Sequence, residues 1–420
     1  MKESTESNAG RRKHQIVIVG GGAGGLSVAS AALKQRPDLD IAIVEPSESH
    51  YYQPAWTLVG GGAYDVQATR RAEADCIPQQ AHWIKQRVAT FQPNQNQVTL
   101  DDDSVVGYEY LVIAAGIQLD WNKIEGLEET LGKNGVTSNY SFELAPYTWE
   151  CIRKFRGGKA LFTYPATPIK CAGAPQKILY LAADHFRRNG ISADMHYCTA
   201  GNVMFGVPFY SQALDQVMAH YGATPEYKHN LIAVDGPNKK ATFEVGDNKE
   251  KSTIAFDMLH VVPPQSAPDF IKSSPLANAA GWVAVNPGTL RHDTYGNVFG
   301  LGDCTSTPNS KTAAAVRAQS RIAVSNLLAV IDGNELTQVY DGYASCPLTT
   351  SKGKMLLAEF SYDGKITPSF PSDPRVPRRS YWWMKTTLLP KMYWDMVQGR
   401  PGPDWHTERE FPVELPAIQP

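Results

Sequence analysis

A glycine-rich turn, Gly-Gly-Gly-Ala-Gly-Gly at residues 20–25, follows a short β-branched run, QIVIV at residues 15–19. The small residues after the turn, LSVASAALKQR, are typical of a helix that packs closely against a strand. The spacing Gly20-x-Gly22-x-x-Gly25 allows a tight turn and brings backbone N–H groups near a pyrophosphate at the helix start. This spacing alone also occurs in other α/β loops, but its position between strand and helix predicts a dinucleotide-binding βαβ unit.

Later strand ends indicate which dinucleotide is bound. DIAIV (40–44) ends in Glu45, where a carboxylate can accept hydrogen bonds from ribose hydroxyls. LVIAAG (111–116) and VFGLGD (298–303) resemble motifs of flavoproteins with two dinucleotide-binding domains, which implies FAD, with Asp303 on its ribitol chain. The helix after the last motif would direct its positive N-terminal end at the flavin ring. The cofactor-binding candidates are Gly20, Gly22, Gly25, Glu45, Ala115, Gly116, Gly302, Asp303 and Lys311.

The composition argues against several classes of protein. The 420 residues include 40 Lys and Arg against 42 Asp and Glu, so the chain lacks the basic field that nucleic-acid binding requires. No apolar run approaches the roughly 20 residues of a membrane-spanning helix. Six cysteines without a C-x-x-C pair predict neither a disulfide scaffold nor a metal site. The first residues lack the apolar core of a secretory signal, which favours a cytosol-facing protein.

A mid-chain loop stands where flavoproteins that take electrons from NAD(P)H carry a second glycine fingerprint. Here the strand KALFTYP leads into Pro165, Pro168, Lys170 and Cys171 instead. Prolines lack the N–H groups that bind a pyrophosphate, so a nicotinamide donor is not expected. The loop offers a thiol that follows a lysine and precedes a helix predicted at 176–190, and both neighbours lower a cysteine pKa.

Six segments together resemble the sulfide:quinone oxidoreductase family, most closely the branch that includes the mitochondrial enzyme. They are GGGAGG near the N-terminus, VEPSESHYYQPAWTLVGGGA (44–63), KCAGAPQK (170–177), VFGLGDCT (298–305), SKTAAAV (310–316) and YASCPLTT (343–350). The resemblance implies an FAD enzyme that oxidises hydrogen sulfide at a redox pair, Cys171 and Cys346, and passes two electrons to a membrane quinone.

The same resemblance implies roles within the site. Cys346 would carry a persulfide, Cys171 would face the flavin, and a small acceptor would finally remove the sulfane sulfur. Lys311 would stabilise anionic flavin or hydrosulfide, with a solvated lysine at a helix start as the alternative. The remaining cysteines match no redox motif and are predicted to be ordinary interior residues: Cys76, Cys151, Cys198 and Cys304.

The predicted fold is α/β, with two Rossmann-like dinucleotide-binding domains and a C-terminal membrane-associating segment. The FAD-binding domain is expected to be discontinuous, over residues 1–118 and 281–345. The second Rossmann-like domain is expected at 119–280, and a quinone and membrane-interface region at 346–420.

The segment 375–400 concentrates Trp, Tyr, Met and Leu among basic residues, with Pro390 expected to split it into two short helices. This composition suits an anchor on one leaflet of an anionic membrane, although a buried helix hairpin or a subunit interface would give the same pattern. The quinone-binding candidates are Tyr343, Phe360 and Trp394. The expected setting is the cytoplasmic face of a bacterial inner membrane, with the mitochondrial inner membrane as the alternative and a homo-oligomer as an option.

Three rival functions share parts of these patterns. A type II NADH:quinone oxidoreductase has the same fold but needs the second glycine fingerprint. A flavocytochrome-type sulfide dehydrogenase would need an export signal. A sulfur-carrying or redox-sensing flavoprotein without quinone turnover would have no use for the aromatic and basic C-terminal segment.

Overall fold

The computed structural model of the protein describes residues 12–412 and residue 414. Residues 1–11, 413 and 415–420 of the predicted domains lie outside the described residues, as does most of the opening segment on which the cytosolic expectation rests. Within the described part of the chain, helices pack on two largely parallel sheets, which confirms the predicted α/β class.

The first sheet carries the glycine turn. Its central strands are parallel, with Ile16 opposite Ile41 and Val17 opposite Leu111. Residues 16–19, 41–44 and 111–113 of these strands are apolar and buried, as parallel strands covered on both faces are. Helices Ala23–Gln35 and Ala313–Ile331 pack together on one face. The strand order is His82–Ile84, Ile41–Val44, Arg12–Val19, Val105–Ile113, Gln97–Leu100 and Val88–Gln92, and Val298–Gly300 pairs with Val105–Ile113.

The second sheet carries the cysteine loop at the end of one of its strands. An antiparallel meander of His229–Asp235, Lys240–Val245 and Glu250–Ala255 packs beside it. The sheet order is Val136–Thr137, Met258–His260, Gly158–Tyr164, Ala193–Thr199 and Thr224–Tyr227, and the helices against it are Ala145–Lys154, Ala174–Arg188 and Pro208–Tyr221.

Shorter elements connect the two sheets. The remaining strand pairs are Ser49–Tyr51 with Arg70–Ala72 and Gln118–Leu119 with Gln265–Ser266. The short helices and 3₁₀ turns are Gln53–Ala55, Trp56–Gly60, Gln67–Thr69, Glu73–Asp75, Pro93–Gln95, Trp121–Lys123, Leu127–Thr130, Asp269–Lys272 and Tyr362–Gly364.

A hairpin of Ala344–Ser351 and Lys354–Phe360 packs on helix Ala174–Arg188, and a helical segment follows it. We call residues 379–397 the C-terminal helical segment. It runs as Arg379–Trp383, a π-helical turn Met384–Leu388, and Leu389–Val397.

The expected break at Pro390 is wrong, because these three parts adjoin without interruption. Pro390 stands in the first turn after the π-helical turn, where the missing N–H costs little since hydrogen bonding has already shifted. In the part of the chain that the structure describes, no helix is long and apolar enough to cross a bilayer.

The first sheet draws its strands from residues 12–113 and 298–300, and the second from 136–260. The proposed division at 118, 280 and 345 stays a prediction. The hairpin strand Ala344–Ser351 crosses the last of these positions, so residues on both sides of 345 share one element.

Candidate active site

A cavity of about 550 Å³ opens at the carboxyl ends of the first sheet and reaches the C-terminal helical segment. The carboxyl ends of parallel strands are where α/β sheets bind ligands. We call the part lined by residues 20–24 and Glu45 the glycine end. The part lined by Cys171, Lys177 and Lys385 is the cysteine end.

At the glycine end, Gly20 has a φ of +104°, which an L side chain rarely adopts. A Cβ at Gly25 would lie 1.9 Å from the Gly20 carbonyl oxygen, so Gly25 permits helix and strand to pack rather than lining the cavity. Gly22 lines the cavity, and a Cβ there would meet no atom within 4 Å. The turn therefore leaves open the space that a pyrophosphate would fill.

Glu45 lies beside this turn at the end of its strand. Its Oε2 accepts a hydrogen bond from the Gly21 N–H at 2.8 Å, and its Oε1 accepts one from the Ser47 N–H at 2.7 Å. Burial raises the pKa of Glu45, and these backbone donors oppose that rise. The carboxylate is thus fixed in position at the expected ribose site.

The other predicted cofactor residues line the same cavity: Ala115, Gly116, Gly302, Asp303 and Lys311. Burial raises the pKa of Asp303, while the neighbouring Lys311 and Lys170 lower it. Helix Ala313–Ile331 begins at Thr312, whose side chain accepts a hydrogen bond from the Ala315 N–H at 3.1 Å. The open glycine turn fits a pyrophosphate, Asp303 fits the hydroxyl groups of a ribitol chain, and the helix start fits negative charge on a flavin ring.

Lys311 is almost entirely buried, and burial lowers its pKa. Its Nζ donates to the Thr305 carbonyl oxygen at 3.1 Å and lies 4.2 Å from the centre of the Trp282 ring. The alternative of a solvated lysine at a helix start is therefore wrong.

At the cysteine end, Cys171 has a φ of +56°, a left-handed conformation that is unusual for a residue with a side chain. Its N–H donates to the Lys311 carbonyl oxygen at 2.7 Å, and its own carbonyl oxygen accepts from the Ala174 N–H at 2.8 Å. These bonds join the cysteine loop to the start of helix Ala313–Ile331 and hold the thiol on the cavity wall. Cys346 lies on strand Ala344–Ser351 and is fully buried.

The pKa values of the two thiols are shifted in opposite directions. A hydrogen bond from Cys346 lowers the pKa of Cys171 well below its usual value, and the ammonium groups of Lys177 and Lys385 lower it further. The pKa of Cys346 is raised well above its usual value by the same contact and by burial. The pair is therefore a thiolate at Cys171 beside a protonated thiol at Cys346.

From the sequence, Lys170 is either a neighbour that lowers the pKa of Cys171 or a solvated loop lysine. Lys170 Nζ donates to Gln53 Oε1 at 2.6 Å, and the lysines that lower the pKa of Cys171 are Lys177 and Lys385. Lys177 Nζ lies 2.9 Å from Cys171 Sγ instead. Lys177 lies in the first turn of the helix that follows Cys171. Its position in KCAGAPQK was therefore the signal that could have identified it.

Lys385 was missed as well. It lies in the π-helical turn, is almost fully buried, and has its pKa lowered to about 7 by burial and by Lys177. No sequence pattern links this residue to the cysteines, because the chain fold alone brings the C-terminal helical segment to them.

Of the three quinone candidates, Tyr343 lines the cavity, and its hydroxyl donates to Glu359 Oε1 at 2.6 Å. Phe360 and Trp394 do not line it. Phe360 packs against Phe205 and Tyr210, and Trp394 lies under the Arg71 guanidinium. The apolar wall of the cavity is formed by other members of the C-terminal helical segment: Met384, Leu388, Leu389, Met392 and Met396.

The remaining cysteines have no such environment. Burial raises the pKa of Cys76, Cys151 and Cys304 to about 11 and that of Cys198 to about 12. They therefore stay protonated and unreactive at neutral pH.

A sequence profile described as pyridine nucleotide-disulphide oxidoreductase matches residues 14–147. The mitochondrial sulfide:quinone oxidoreductase of Mus musculus is 43% identical over 390 residues, covering 92% of this chain and 87% of that protein. The protein of the same name in Dictyostelium discoideum is 46% identical over 412 residues, covering 96% and 90%. A type II NADH:quinone oxidoreductase of Mycobacterium tuberculosis is 28% identical over only 131 residues, 27% of this chain and 25% of that protein.

Solved structures show the same fold. The sulfide:quinone oxidoreductase of Aquifex aeolicus superposes with a TM-score of 0.77 at 20% identity, covering 93% of both chains. A chain of the Tetrahymena thermophila mitochondrial ATP synthase structure superposes with a TM-score of 0.83 at 20% identity, covering 95% of this chain and 99% of that one. These likenesses concern the fold alone.

Proposed function

The chain belongs to the sulfide:quinone oxidoreductase family, a family of flavin-dependent oxidoreductases, and from that premise we propose that Cys171 and Cys346 are its redox pair. One observation carries this proposal. The Cys171 thiol lies against both Cys346 and the Lys177 ammonium, on the wall of the cavity that also holds the nucleotide-binding glycines. At the other four cysteines burial outweighs the effect of nearby cations, and the pKa of each thiol is raised.

The reaction begins with the pair joined as a disulfide. Hydrosulfide attacks the Cys346 sulfur, the bond between the two cysteines breaks, and the products are a Cys346 persulfide and a Cys171 thiolate. Atoms and charge balance, because the negative charge of hydrosulfide passes to Cys171. The Lys177 ammonium lies 2.9 Å from Cys171 Sγ and stabilises negative charge on that sulfur, which makes Cys171 the better leaving group and favours this order over the reverse.

Two lysines hold the negative charge that this step creates. Lys177 contacts Cys171 directly, and Lys385 approaches from the C-terminal helical segment. Both are buried, so their attraction to a thiolate is screened little by water. They would also draw the hydrosulfide anion into the cavity.

We assign FAD to the glycine end, held by the turn at residues 20–25, Glu45, Asp303 and the start of helix Ala313–Ile331. FAD bound there would supply the two-electron redox chemistry that links the cysteines to a quinone. The two electrons are released when the Cys171 thiolate and the Cys346 persulfide join through the added sulfur, with loss of one proton. The chain's own task is to keep Cys171 on the flavin side of the pair. Cys171 lines the shared cavity and Cys346 lies behind it, which supports that arrangement.

The quinone is assigned to the apolar wall of the C-terminal helical segment, with Tyr343 across from it. Phe370, Trp383 and Trp405 are exposed large apolar side chains, and Phe370 and Trp405 also line the cavity. An apolar rim suits the surface of a membrane, from which a quinone could enter. We therefore propose peripheral attachment to one leaflet.

The membrane's identity is a separate matter. The sulfide:quinone oxidoreductases of Mus musculus and Dictyostelium discoideum are named mitochondrial, and they do not confirm the bacterial setting expected from the sequence. A small nucleophile would remove the sulfane sulfur from Cys346.

Trapping the persulfide tests the assignment. The enzyme is treated with one equivalent of sulfide without oxygen, alkylated, digested and analysed by mass spectrometry. We expect the additional sulfur on the Cys346 peptide. Sulfur on the Cys171 peptide would reverse the order, and sulfur on neither would overturn the pair.

A further inference from the structure

Glu73 is a buried carboxylate that the proposed function does not use. It opens the short 3₁₀ turn Glu73–Asp75, is 1% exposed, and lines the cavity at the glycine end. Among residues 12–412, its Oε1 has no hydrogen-bond partner. A Cβ added at Gly21 would lie 2.6 Å from that oxygen, so the free oxygen stands directly over the glycine turn.

The neighbouring groups are already engaged elsewhere. His50 Nδ1 lies 3.4 Å from Glu73 Oε2 and 3.2 Å from the Gly21 carbonyl oxygen. Both of these atoms are acceptors, so Nδ1 carries a proton, which it donates to the Gly21 carbonyl oxygen. The Glu73 oxygen near this imidazole is Oε2, not Oε1. Each oxygen of the neighbouring Glu45 accepts a backbone N–H. Within the described part of the chain, Glu73 Oε1 is therefore a buried carboxylate oxygen without a protein donor.

A buried carboxylate oxygen without a donor is costly, since burial removes the hydrogen bonds that water would supply. The position of Glu73 is nevertheless held firmly. His50 Nε2 lies 2.7 Å from the Tyr393 hydroxyl, and the Glu73 N–H donates to the Glu48 carbonyl oxygen at 2.9 Å. A fixed, unpartnered acceptor on a cavity wall fits a ligand that brings its own donor.

We propose that Glu73 is a second ribose-binding carboxylate, whose Oε1 accepts a hydrogen bond from a hydroxyl of the adenosine ribose of the bound flavin dinucleotide. This inference rests on the assignment of FAD to the glycine end. Glu45 and Glu73 would share the vicinal diol of the ribose, with Glu45 fixed by backbone donors and Glu73 fixed by His50. The ligand class is a ribonucleotide with free 2′- and 3′-hydroxyl groups.

The test is the rate at which the holoenzyme releases flavin after dilution, followed by the rise of flavin fluorescence. Glu73→Gln keeps the shape of the side chain but removes its charge, and we expect FAD to leave about tenfold faster. Glu48→Gln is the matched control, because its side chain is exposed and its ion-pair partner is Lys85 on the surface. Release from the control should equal that of the unmodified protein.

A second measurement separates ribose binding from a structural role. Enzymes are loaded with FAD analogues that lack the 2′- or the 3′-hydroxyl of the adenosine ribose. With one of these analogues, Glu73→Gln and the unmodified protein should release flavin at the same rate. Equal acceleration for FAD and for both analogues would overturn the inference, as would unchanged release of FAD. A protein that binds no flavin at all would instead overturn the FAD assignment itself.

Discussion

The glycine end and the cysteine end of the cavity are built in opposite ways. The glycine end is lined mainly by one short stretch, residues 20–24, and by Glu45, which accepts a hydrogen bond from the Gly21 N–H of that stretch. The cysteine end gathers side chains from three distant segments, Cys171 with Lys177, Cys346, and Lys385. A contiguous backbone motif can be read from the sequence, whereas a cluster of side chains emerges only when the chain has folded.

The difference predicts that each end can be disabled alone. Cys171→Ser and Cys346→Ser should each slow reduction of the flavin by sulfide by more than about a thousandfold, because the nucleophilic pair is lost. Flavin content should remain that of the unmodified protein, since neither thiol contributes to the glycine end. Anaerobic absorption spectroscopy measures both quantities. Cys151→Ser is the control, and rapid reduction in either active-site variant would refute the pair.

A substitution in the glycine turn should disable the glycine end alone. Gly22 has a φ of −71°, which alanine adopts readily, and a Cβ there meets no protein atom. Gly22→Ala should therefore fold normally but bind FAD about a hundredfold more weakly, because the methyl group occupies the pyrophosphate position. Gly206→Ala, also free of contacts, is the control in a flavin-binding titration. Normal affinity for FAD in Gly22→Ala would contradict the position assigned to the pyrophosphate.

Lys170 and Lys177 are both near Cys171 in the sequence, and substituting each in turn tests which of them lowers the pKa of its thiol. Lys177→Met should raise the pKa of the Cys171 thiol, since its contacting cation is lost. Alkylation of the reduced enzyme by iodoacetamide should then fall about tenfold at mildly acidic pH. Lys170→Met should leave the alkylation rate unchanged, because its ammonium contacts Gln53. Equal effects of the two variants would mean that the contact at 2.9 Å is unimportant.

Outside both ends, Trp383 tests attachment to the membrane. Its side chain is 59% exposed on the C-terminal helical segment. Trp383→Ser should weaken binding to vesicles of phosphatidylcholine and phosphatidylglycerol about fivefold, as loss of one interfacial aromatic residue does. Val203→Ser, which removes another exposed apolar side chain, should have no effect on co-sedimentation with vesicles. The opposite ranking would place the membrane on another face.

Burial of Lys385 should make the free energy of unfolding depend on pH. Its pKa is about 7 in the folded protein against 10.5 as an ordinary lysine, so between these values the unfolded chain holds one more proton at this site. The free energy of unfolding should therefore rise with pH in that window, by about 1.4 kcal/mol per pH unit at most. Lys385→Met should lose this slope, and exposed Lys391→Met should keep it, as urea unfolding at several pH values can measure. An unchanged slope in Lys385→Met would contradict the burial of a titrating lysine.

The fold class and the glycine end were largely predictable. Strand, glycine turn, helix and acid follow one another in the sequence at spacings that only a few folds use, so local rules suffice. Cys171 and Cys346 were identified through a family resemblance and not from spacing, since they lie on a loop and on a strand far apart in the chain. Gly25 was named among the cofactor-binding candidates, and its close approach to the Gly20 carbonyl oxygen indicates a role in packing the helix against its strand.

The parts that were missed depend on tertiary contacts. Lys385 and Glu73 gain their properties from burial, and nothing in their local sequence reports it. Phe360 and Trp394 were predicted to bind the quinone, yet both pack into the hydrophobic interior. The helix across Pro390 stayed continuous because a π-helical turn precedes it, a feature without a known sequence signal here.

The central claim is that electrons enter this protein from sulfide at a cysteine pair. The most direct measurement is the visible absorption of the bound flavin, without oxygen, after addition of sulfide and separately after addition of NADH. Sulfide should bleach the flavin rapidly, and NADH should not, because the mid-chain loop carries prolines and a cysteine where a nicotinamide dinucleotide would need glycines. Bleaching by NADH without bleaching by sulfide would contradict the account.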